Sequence, residues 1–355
     1  LKKNGVEVRP YGEILDGIAA IDAPTAMLVS AENVNYRLYL AMEENPRVTI
    51  VKGEEPVFCL KAVKNPVEIA NTKNAHIKEG VAMARLQMCL EEKLAAGETV
   101  SETDVGELLV NFRKEQEGYI EDSFAVIAAY GANAAMMHYH PTQENHAVLQ
   151  RKGFLLLDTG GQYADGTTDT TRTYALGELT DEERRYYTYV LKANIGIART
   201  VFMEGCSGTN LDIMSRTQIW KYGLDYRCGT GHGVGFVGPI HEGPQSLRMT
   251  NHVPFQPGMT ITDEPGIYEE GLVGVRIENE LLVVKHMETK YGTFYAFEPF
   301  TYLPIDTAPV MLELMNEEEI SWLNDYHQMV YDTLSPHMTE RECIWLKEKT
   351  KPLEK

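Results

Sequence analysis

The chain has 355 residues, of which 43% are hydrophobic and 24% charged, and its formal net charge is −19. This length allows a large buried core, and we expect one big domain plus part of another. The negative charge argues against nucleic acid or an anionic membrane as partner. No apolar run approaches the roughly 18 residues that indicate a membrane span.

The cysteines are few and scattered, at positions 59, 89, 206, 228 and 343. An odd number without regular spacing is typical of free thiols rather than of a disulfide framework, and it favours a reducing, cytoplasmic compartment. The chain begins with Leu1 rather than Met, so the lack of a targeting segment carries no information.

Two helices are predicted in the first half of the chain. Residues 65–68, Asn-Pro-Val-Glu, combine an N-cap Asn, a Pro at the first helical position and a Glu at the third, and this capping box opens a helix to about Leu94. A second helix begins near Ser101, and strand-rich sequence follows it. We expect this region to end in a hairpin.

The same order recurs in the second half. Residues 180–183, Thr-Asp-Glu-Glu, form another capping box and predict a helix to about Phe202, followed by a shorter helix at 210–222 and by strands. We interpret the two copies of helix, helix and hairpin as pseudo-symmetric halves of an α+β fold. Residues 316–319 open a terminal amphipathic helix. Its apolar face, expected to pack on the core, consists of Ile320, Leu323, Tyr326 and Val330.

Two acidic residues, Asp158 and Asp169, lie in the first hairpin region. Strand-like runs at 154–158 and 168–176 bracket a turn segment that contains Asp165-Gly166, so the chain most simply folds back there. The midpoint of the two acids, 163.5, falls within that turn. Because neighbouring strands lie about 4.8 Å apart, two inward-facing Asp side chains could share a cation.

A second acidic pair repeats this arrangement. Glu264 and Glu278 have their midpoint at Gly271, in the turn between two apolar runs. A lone carboxylate at a strand end is usually a solvated turn residue. Two converging pairs, however, must either protonate or hold metal, because unpaired buried charges are costly. The sequence therefore predicts a two-metal hydrolytic site.

One histidine, His232, stands in a glycine-rich stretch between the two pairs. Glycines permit close backbone approach and unusual dihedral angles where a chain is drawn tight around a site. A phosphate-binding loop is disfavoured, because neither GxxxxGK[ST] nor GxGxxG is present. His140 and His146, in HYHPTQENH, are assigned to the surface or to positions behind the metal ligands.

Four motifs in order resemble one family. They are DTGGQYADGTTDTTRT, GTGHGVGFVGPIHEGP, TDEPG and RIEN. Together they are similar to the pita-bread metallopeptidases and, within them, to the Xaa-Pro aminopeptidases (aminopeptidase P). The resemblance runs from about Leu60 to the C-terminus. There, FEPFTYLPID and WLNDYH resemble the C-terminal extension of the longer, eukaryote-like members.

The resemblance implies a dinuclear metal centre of five ligands. Asp158 would chelate one metal, Asp169 and Glu278 would bridge both, and His232 and Glu264 would complete the shell of the second. The two divalent ions are expected to be manganese, which suits a shell rich in carboxylates.

The resemblance also implies the chemistry. Two cations would bridge a water and lower its pKa, so that hydroxide attacks the peptide bond before a proline at the second position. Glu264 would carry the proton to the leaving nitrogen. His138 and His241 would contact the substrate, and Arg276 would orient the bridging acid.

One position departs from the family pattern. Where the longer aminopeptidases P carry a His four residues before the metal His, this chain has Cys228. Cys228 is either a small buried hydrophobe or part of the substrate pocket.

The resemblance also divides the chain. Residues 1–60 resemble the closing elements of a creatinase-like N-terminal domain, too few to complete it, so we expect a fragment of a longer protein. Residues 61–308 would form the pita-bread catalytic domain and residues 309–355 its C-terminal helical extension. In the longer relatives this last region supports dimers, so a homodimer is expected.

Other interpretations have less support. LLLDTGG fits the Asp-Thr-Gly signature of aspartic peptidases, but no second such segment follows. A non-catalytic binding module or metal-free hydrolysis is disfavoured because every ligand position is filled. The main alternative is an Xaa-Pro dipeptidase (prolidase). The TGHGVG and IHEGP spacing and the C-terminal extension favour the aminopeptidase.

Overall fold

The computed structural model describes residues 2–53 and 55–354, which form two compact units, Leu1–Leu60 and Lys61–Lys355. The first unit contains α1 (Ile14–Ala19), β1 (Thr25–Val29), α2 (Tyr36–Glu44) and β2 (Val48–Lys52). Its two strands pair in parallel. Ile18, Val29 and Met42 form its small core. Helix α3 (Pro56–Ala62) follows β2 along the chain. The division of the chain into functional domains stays a prediction.

The first half of the second unit begins with two helices, α4 (Pro66–Ala95) and α5 (Glu102–Lys114). Asn65 and Glu68 close the predicted capping box of α4, and Ser101 caps α5, so both helix starts are confirmed. The strands that follow are β3 (Tyr119–Asp122), β4 (Ile127–Tyr130), β5 (Phe154–Thr159), β6 (Gly161–Tyr163), β7 (Gly166–Thr167) and β8 (Thr170–Ala175). They form two antiparallel sheets, ordered β4-β5-β8 and β3-β6-β7. Leu155 and Leu157 of β5 pack against the apolar faces of the two helices.

The second half repeats this order of helices and strands. Its helices are α6 (Asp181–Ala198) and α7 (Gly208–Trp220). Its strands are β9 (Val201–Met203), β10 (Gly231–His232), β11 (Ser246–Leu247), β12 (Thr260–Asp263), β13 (Gly266–Glu269), β14 (Val273–Arg276), β15 (Asn279–Thr289) and β16 (Gly292–Pro299). The main sheet is ordered β12-β15-β16-β9, and β13-β14 and β10-β11 form two smaller ones. This repetition confirms the predicted α+β fold of two halves.

The predicted end of α6 was wrong. The helix ends at Ala198, and Phe202 lies instead in β9, where it pairs with Tyr295 of β16. Its ring packs against Phe255 and Phe297. Burial of this aromatic side chain beside a strand outweighs continuation of the helix, a tertiary effect that local sequence does not reveal.

Two helices close the chain, α8 (Glu317–Leu334) and α9 (Glu340–Lys349). Asn316 caps α8, and the four apolar side chains predicted to pack on the core are buried. Helix α9 was not predicted. Short 3₁₀ helices occupy Lys2–Asn4, Tyr11–Glu13, Gly131–Ala135, Leu312–Leu314 and Ser335–His337. None of the helices in the described part of the chain is both long and apolar enough to cross a membrane.

The two halves of the second unit meet along β8 and β14. The amide of Glu278 donates to the carbonyl of Thr171 over 3.0 Å. The Thr173 hydroxyl donates to the carbonyl of Arg276 over 2.8 Å. These bonds bring the ends of the acid-bearing strands of both halves together.

Candidate active site

One cavity of about 260 Å³ is lined by every residue that the sequence assigns to the site. These residues are His138, Asp158, Asp169, Cys228, His232, His241, Glu264, Arg276 and Glu278. The remaining lining residues are Phe124, Ala125, Ile127, Met137, His140, Ile240 and Tyr268. The acidic and imidazole groups therefore converge from distant parts of the chain into a pocket with an otherwise largely apolar wall.

The pair Glu264 and Glu278 has the predicted register. Strand β12 pairs Asp263 with Asn279, and β13 pairs Gly266 with Arg276, so both ladders are centred on position 271. Gly271 adopts φ +74°, which glycine tolerates at a tight turn. Both acids stand opposite each other where the two ladders are interrupted, next to Pro265, which has no N–H for a ladder bond.

The pair Asp158 and Asp169 is offset from the predicted register. Strands β5 and β8 are adjacent and antiparallel, as expected, but Asp158 pairs with Thr171. Asp169 lies just before β8, two residues away from that pairing. The predicted turn forms a hairpin of its own, in which β6 pairs with β7, and β6 also pairs with β3 rather than joining the sheet β4-β5-β8.

Three ligand atoms lie close enough to hold one cation. The side-chain donor atoms of Asp169, His232 and Glu278 all lie within 4.8 Å of one another. His232 Nε2 is 3.5 Å from Asp169 Oδ2 and 3.4 Å from Glu264 Oε1. His232 Nδ1 donates to the carbonyl of Gly233 over 2.9 Å, which leaves the Nε2 lone pair facing the acids.

The acids are strongly perturbed by their surroundings. Burial, reinforced by neighbouring carboxylates, raises the pKa values of Asp169 and Glu278 well above their usual range. Burial raises the pKa of Glu264 to about 7. Burial also lowers the pKa of His232, so that the imidazole is neutral and able to ligate.

Asp158 carries an unused acceptor. Its Oδ1 atom is buried and has no hydrogen-bond partner among the described residues, whereas its Oδ2 atom accepts from Arg276 Nη2 over 2.5 Å. A buried acceptor without a partner, in a cavity lined by three further acids, is well explained by a cation. The donor set, four carboxylates and one imidazole, fits hard divalent ions.

The glycines around His232 are required by close packing. A Cβ atom at Gly231 would lie 1.8 Å from the carbonyl oxygen of Thr262, and one at Gly233 would lie 2.1 Å from that of Glu242. The His232 amide donates to Thr262 Oγ1 over 3.0 Å. The glycine-rich sequence thus lets the backbone approach β12 closely enough to present the imidazole to the acids.

The remaining histidines and the cysteine form the wall of the cavity. The rings of His232 and His241 meet edge to face with centroids 4.1 Å apart. His138 and His140 also line the cavity, whereas the exposed His146 does not. Cys228 is half-buried, packs on the main core and also lines the cavity. Burial raises the pKa of its thiol to about 11, so the thiol stays protonated.

Sequence reasoning missed Tyr268 and Glu280 and did not assign His140 to the cavity. Arg276 Nη1 donates to the Tyr268 hydroxyl over 2.8 Å. Glu280 Oε1 accepts from the amide of Asp169 over 2.9 Å and pairs with His76 Nε2 at 3.0 Å. Alternate residues of a strand share a face, and this spacing was the signal that could have found both residues. Tyr268 lies four residues after Glu264, and Glu280 lies two residues after Glu278.

Known proteins resemble the chain along its whole length. Residues 70–285 match metallopeptidase family M24, residues 293–353 match the C-terminal region of M24 peptidases, and residues 1–68 match the creatinase/prolidase N-terminal domain. Aminopeptidase P2 of Arabidopsis thaliana is 38% identical over 100% of this chain and 55% of its own length.

Two solved structures have the same fold. The X-prolyl aminopeptidase of Caenorhabditis elegans, described as a cytosolic enzyme with a di-nuclear active site, superposes with a TM-score of 0.90 at 33% identity. The match covers 99% of this chain and 59% of that one. An Xaa-Pro dipeptidase from Bacillus anthracis gives a TM-score of 0.68 at 28% identity, covering 84% of this chain and 79% of that one.

The chain thus spans little more than half the length of the Arabidopsis and nematode proteins. The M24 match nevertheless covers more than half of this chain and includes all of the acids and histidines around the cavity. The chain therefore belongs to metallopeptidase family M24.

Proposed function

We propose that the chain is the catalytic part of an Xaa-Pro aminopeptidase, which removes the N-terminal residue from peptides with proline at the second position. The observation that carries this proposal is the convergence of four carboxylates and one imidazole, from both halves of the fold, in one cavity. The resemblance to X-prolyl aminopeptidases over nearly the whole chain supports it.

Two divalent cations fit this donor set. Asp158, Asp169 and Glu278 would hold them together with His232 and Glu264. Manganese is the expected metal, because four hard oxygen donors and one imidazole suit it. When bound, two such cations lower the pKa of a water molecule and stabilise the negative charge that develops on the scissile carbonyl oxygen.

Glu264 is positioned for proton transfer. In the metal-free fold, burial raises its pKa to about 7, so this carboxyl group takes up a proton more readily than an exposed glutamate does. Its Oε1 atom also accepts from the Thr262 hydroxyl over 3.2 Å, which fixes its orientation. Glu264 would take a proton from the attacking water and deliver it to the leaving proline nitrogen, which has no hydrogen of its own in an Xaa-Pro bond.

The other polar residues would bind and orient the peptide. His138 and His241 lie on the cavity wall, where either imidazole can donate a hydrogen bond to a peptide carbonyl. Arg276 holds Asp158 and the Thr171 hydroxyl, and that hydroxyl donates to Glu278 Oε2 over 2.7 Å. Arg276 therefore fixes two metal ligands, whereas Cys228 contributes a neutral surface to the substrate pocket.

The apolar part of the cavity suits a proline ring. Phe124, Ile127, Met137 and Ile240 line it, and none of their side chains carries a hydrogen-bond donor. A cytoplasmic location is supported by the free state of all five cysteines and by the nematode relative, which is described as cytosolic. A homodimer is supported by the resemblance to the longer relatives. Ile344 on α9, which is 68% exposed, offers an apolar contact.

Peptides of matched sequence test the proposal. The purified protein, loaded with manganese, should release the first residue of an Xaa-Pro-Xaa tripeptide but not of Xaa-Ala-Xaa, and chelation should stop the reaction. Asp169→Asn serves as the inactive control. Hydrolysis of Xaa-Pro dipeptides alone would favour the alternative, a prolidase. Bound metal without hydrolysis of any peptide would contradict both and favour a binding module.

A further inference from the structure

A buried glutamate outside the cavity is bonded to the loop that carries two of its histidines. Glu102 is the first residue of α5 and is fully buried. The loop, here called the histidine segment, comprises residues 130–147. Its residues Met137, His138 and His140 line the cavity.

The Glu102 carboxylate accepts hydrogen bonds from both ends of the histidine segment. Oε1 accepts from the amide of Tyr130 over 2.6 Å, and Oε2 accepts from the amide of Ala147 over 2.7 Å. The Asn133 side-chain amide donates to both oxygens, over 2.9 and 3.2 Å. In addition, the Glu102 amide donates to the carbonyl of Ala147 over 3.0 Å. One carboxylate thus closes the loop.

The same carboxylate also binds the middle of the segment. The hydroxyl of Tyr139, which is 5% exposed, donates to Glu102 Oε2 over 2.8 Å. Burial, followed by the hydrogen bond to Glu102, raises the pKa of Tyr139 to about 12, so the phenol remains a donor. Tyr139 stands between His138 and His140 in sequence, so its contact with Glu102 constrains both of these histidines, which line the cavity.

The described residues place no cationic side chain on this carboxylate. Among residues 2–53 and 55–354, Glu102 forms no ion pair, and its partners are neutral amides and a phenol. Its place in the first turn of α5 supplies the partial positive charge of a helix N-terminus. A buried carboxylate holds its neutral donors firmly in place, because the loss of any one donor leaves a charged acceptor poorly solvated.

We propose that Glu102, acting through Tyr139, is a positioning residue that sets His138 and His140 on the wall of the cavity. It follows that His140 belongs to the substrate-facing wall together with His138. Neither Glu102 nor Tyr139 touches the cavity. Their effect on catalysis therefore depends on the two imidazoles, and the inference rests on the proposed peptidase activity for its kinetic part.

The kinetic test is a double-mutant cycle on the full chain with manganese and an Xaa-Pro-Xaa peptide. Tyr139→Phe removes the hydrogen bond that the hydroxyl donates to Glu102 and the one that it accepts from Asn133 Nδ2 over 3.1 Å, so kcat/KM should fall about tenfold. In a His138→Ala/His140→Ala background the same change should cost less than about twofold, because the groups it positions are gone. Tyr186→Phe is the matched control, since the Tyr186 hydroxyl donates to Glu182 Oε1 over 2.9 Å on the surface of α6. It should leave kcat/KM unchanged.

Hydrogen–deuterium exchange provides a readout that needs no activity. In Tyr139→Phe, exchange should rise in peptides covering residues 131–147 and stay unchanged in those covering α6. Equal losses of kcat/KM in both backgrounds, or unchanged exchange in the histidine segment, would overturn the inference. A wild-type protein that fails to cleave Xaa-Pro-Xaa peptides would refute the proposed function, and the exchange result alone would then decide whether Glu102 and Tyr139 anchor the segment.

Discussion

Arg276 donates through Nη2 to Asp158 Oδ2 over 2.5 Å, and this pair joins β14 of the second half to β5 of the first. Both side chains are largely buried, with exposed fractions of 3% and 13%. Arg276 also donates to Thr171 Oγ1 over 3.1 Å and to the Tyr268 hydroxyl over 2.8 Å. The guanidinium therefore connects residues from three strands at the base of the cavity.

Arg276→Ala should destabilise the metal-free protein by about 3 kcal/mol, because it leaves the Asp158 carboxylate buried without its partner. Arg276→Lys should cost less, although a single ammonium cannot reproduce the forked geometry. Urea unfolding in the presence of a chelator measures both. Arg199→Ala is the control, since Arg199 pairs with Glu318 on the surface and its loss should cost under about 1 kcal/mol. Equal losses at the two arginines would contradict this assignment.

Asp169→Asn should change stability in opposite directions with and without metal. In chelator the variant should unfold later than the wild type, because one member of a buried, mutually repelling acid cluster has been neutralised. With manganese at a hundred times its dissociation constant, the wild type should gain about 2.7 kcal/mol. The variant should gain much less.

Thermal unfolding with and without manganese, together with elemental analysis, measures this reversal. Glu204→Gln removes an acid that does not line the cavity and should leave the manganese-dependent stabilisation unchanged. A variant that is less stable than the wild type in chelator would show that Asp169 is stabilised in the metal-free fold by another contact.

The midpoint between two acids predicted the strand register correctly for one pair and not for the other, and the reason is physical. Between Glu264 and Glu278 a single tight turn at Gly271 sets the register of both ladders, so local sequence suffices. Between Asp158 and Asp169 the turn region carries its own hairpin, which pairs with β3 from an earlier part of the chain. With this long-range pairing, Asp158 lies opposite Thr171 instead of Asp169, a shift of two residues in the register of β5 and β8. Nothing in the local sequence indicates that shift.

Helix starts were predictable and the supporting contacts were not. The capping boxes at Asn65 and Thr180 each depend on two residues that are three positions apart, so they can be recognised from the sequence. From the sequence, Glu102 could be predicted only to lie at a helix N-terminus. Its contacts with Tyr130 and Tyr139 join residues that are 28 and 37 positions apart in the chain. Roles that depend on such contacts become visible only in the folded chain.

His327 should make stability depend on pH in a predictable direction. Burial, followed by the charge of Arg172, lowers its pKa to about 4, and its Nε2 atom accepts from the amide of Ile305 over 3.1 Å. The unfolded chain therefore binds a proton more readily than the folded one. Stability should be fully present above pH 6.5 and fall as the pH drops toward 4, by about 3 kcal/mol for this group.

The contribution of His327 is measured by comparing the wild type with His327→Gln in urea unfolding at several pH values between 4 and 7, in chelator. The glutamine keeps an acceptor for Ile305 but does not titrate. The free energy of unfolding of the wild type should fall more steeply with decreasing pH than that of the variant. Parallel curves would show that His327 is charged in the folded protein or already neutral in the unfolded one.

Gly274→Ala should disturb the histidine segment through a contact that does not involve Glu102. A Cβ atom at Gly274 would lie 1.8 Å from the carbonyl oxygen of Ala134, so the backbone of that segment must move, at a cost of about 1–3 kcal/mol. Ala134 does not line the cavity that holds the metal ligands, so kcat/KM should fall while manganese content stays equal to that of the wild type. Gly106→Ala is the matched control, because its nearest neighbours lie at 3.7 Å and the change favours helix α5. If Gly274→Ala loses metal in proportion to activity, the segment supports the metal centre itself rather than the substrate wall.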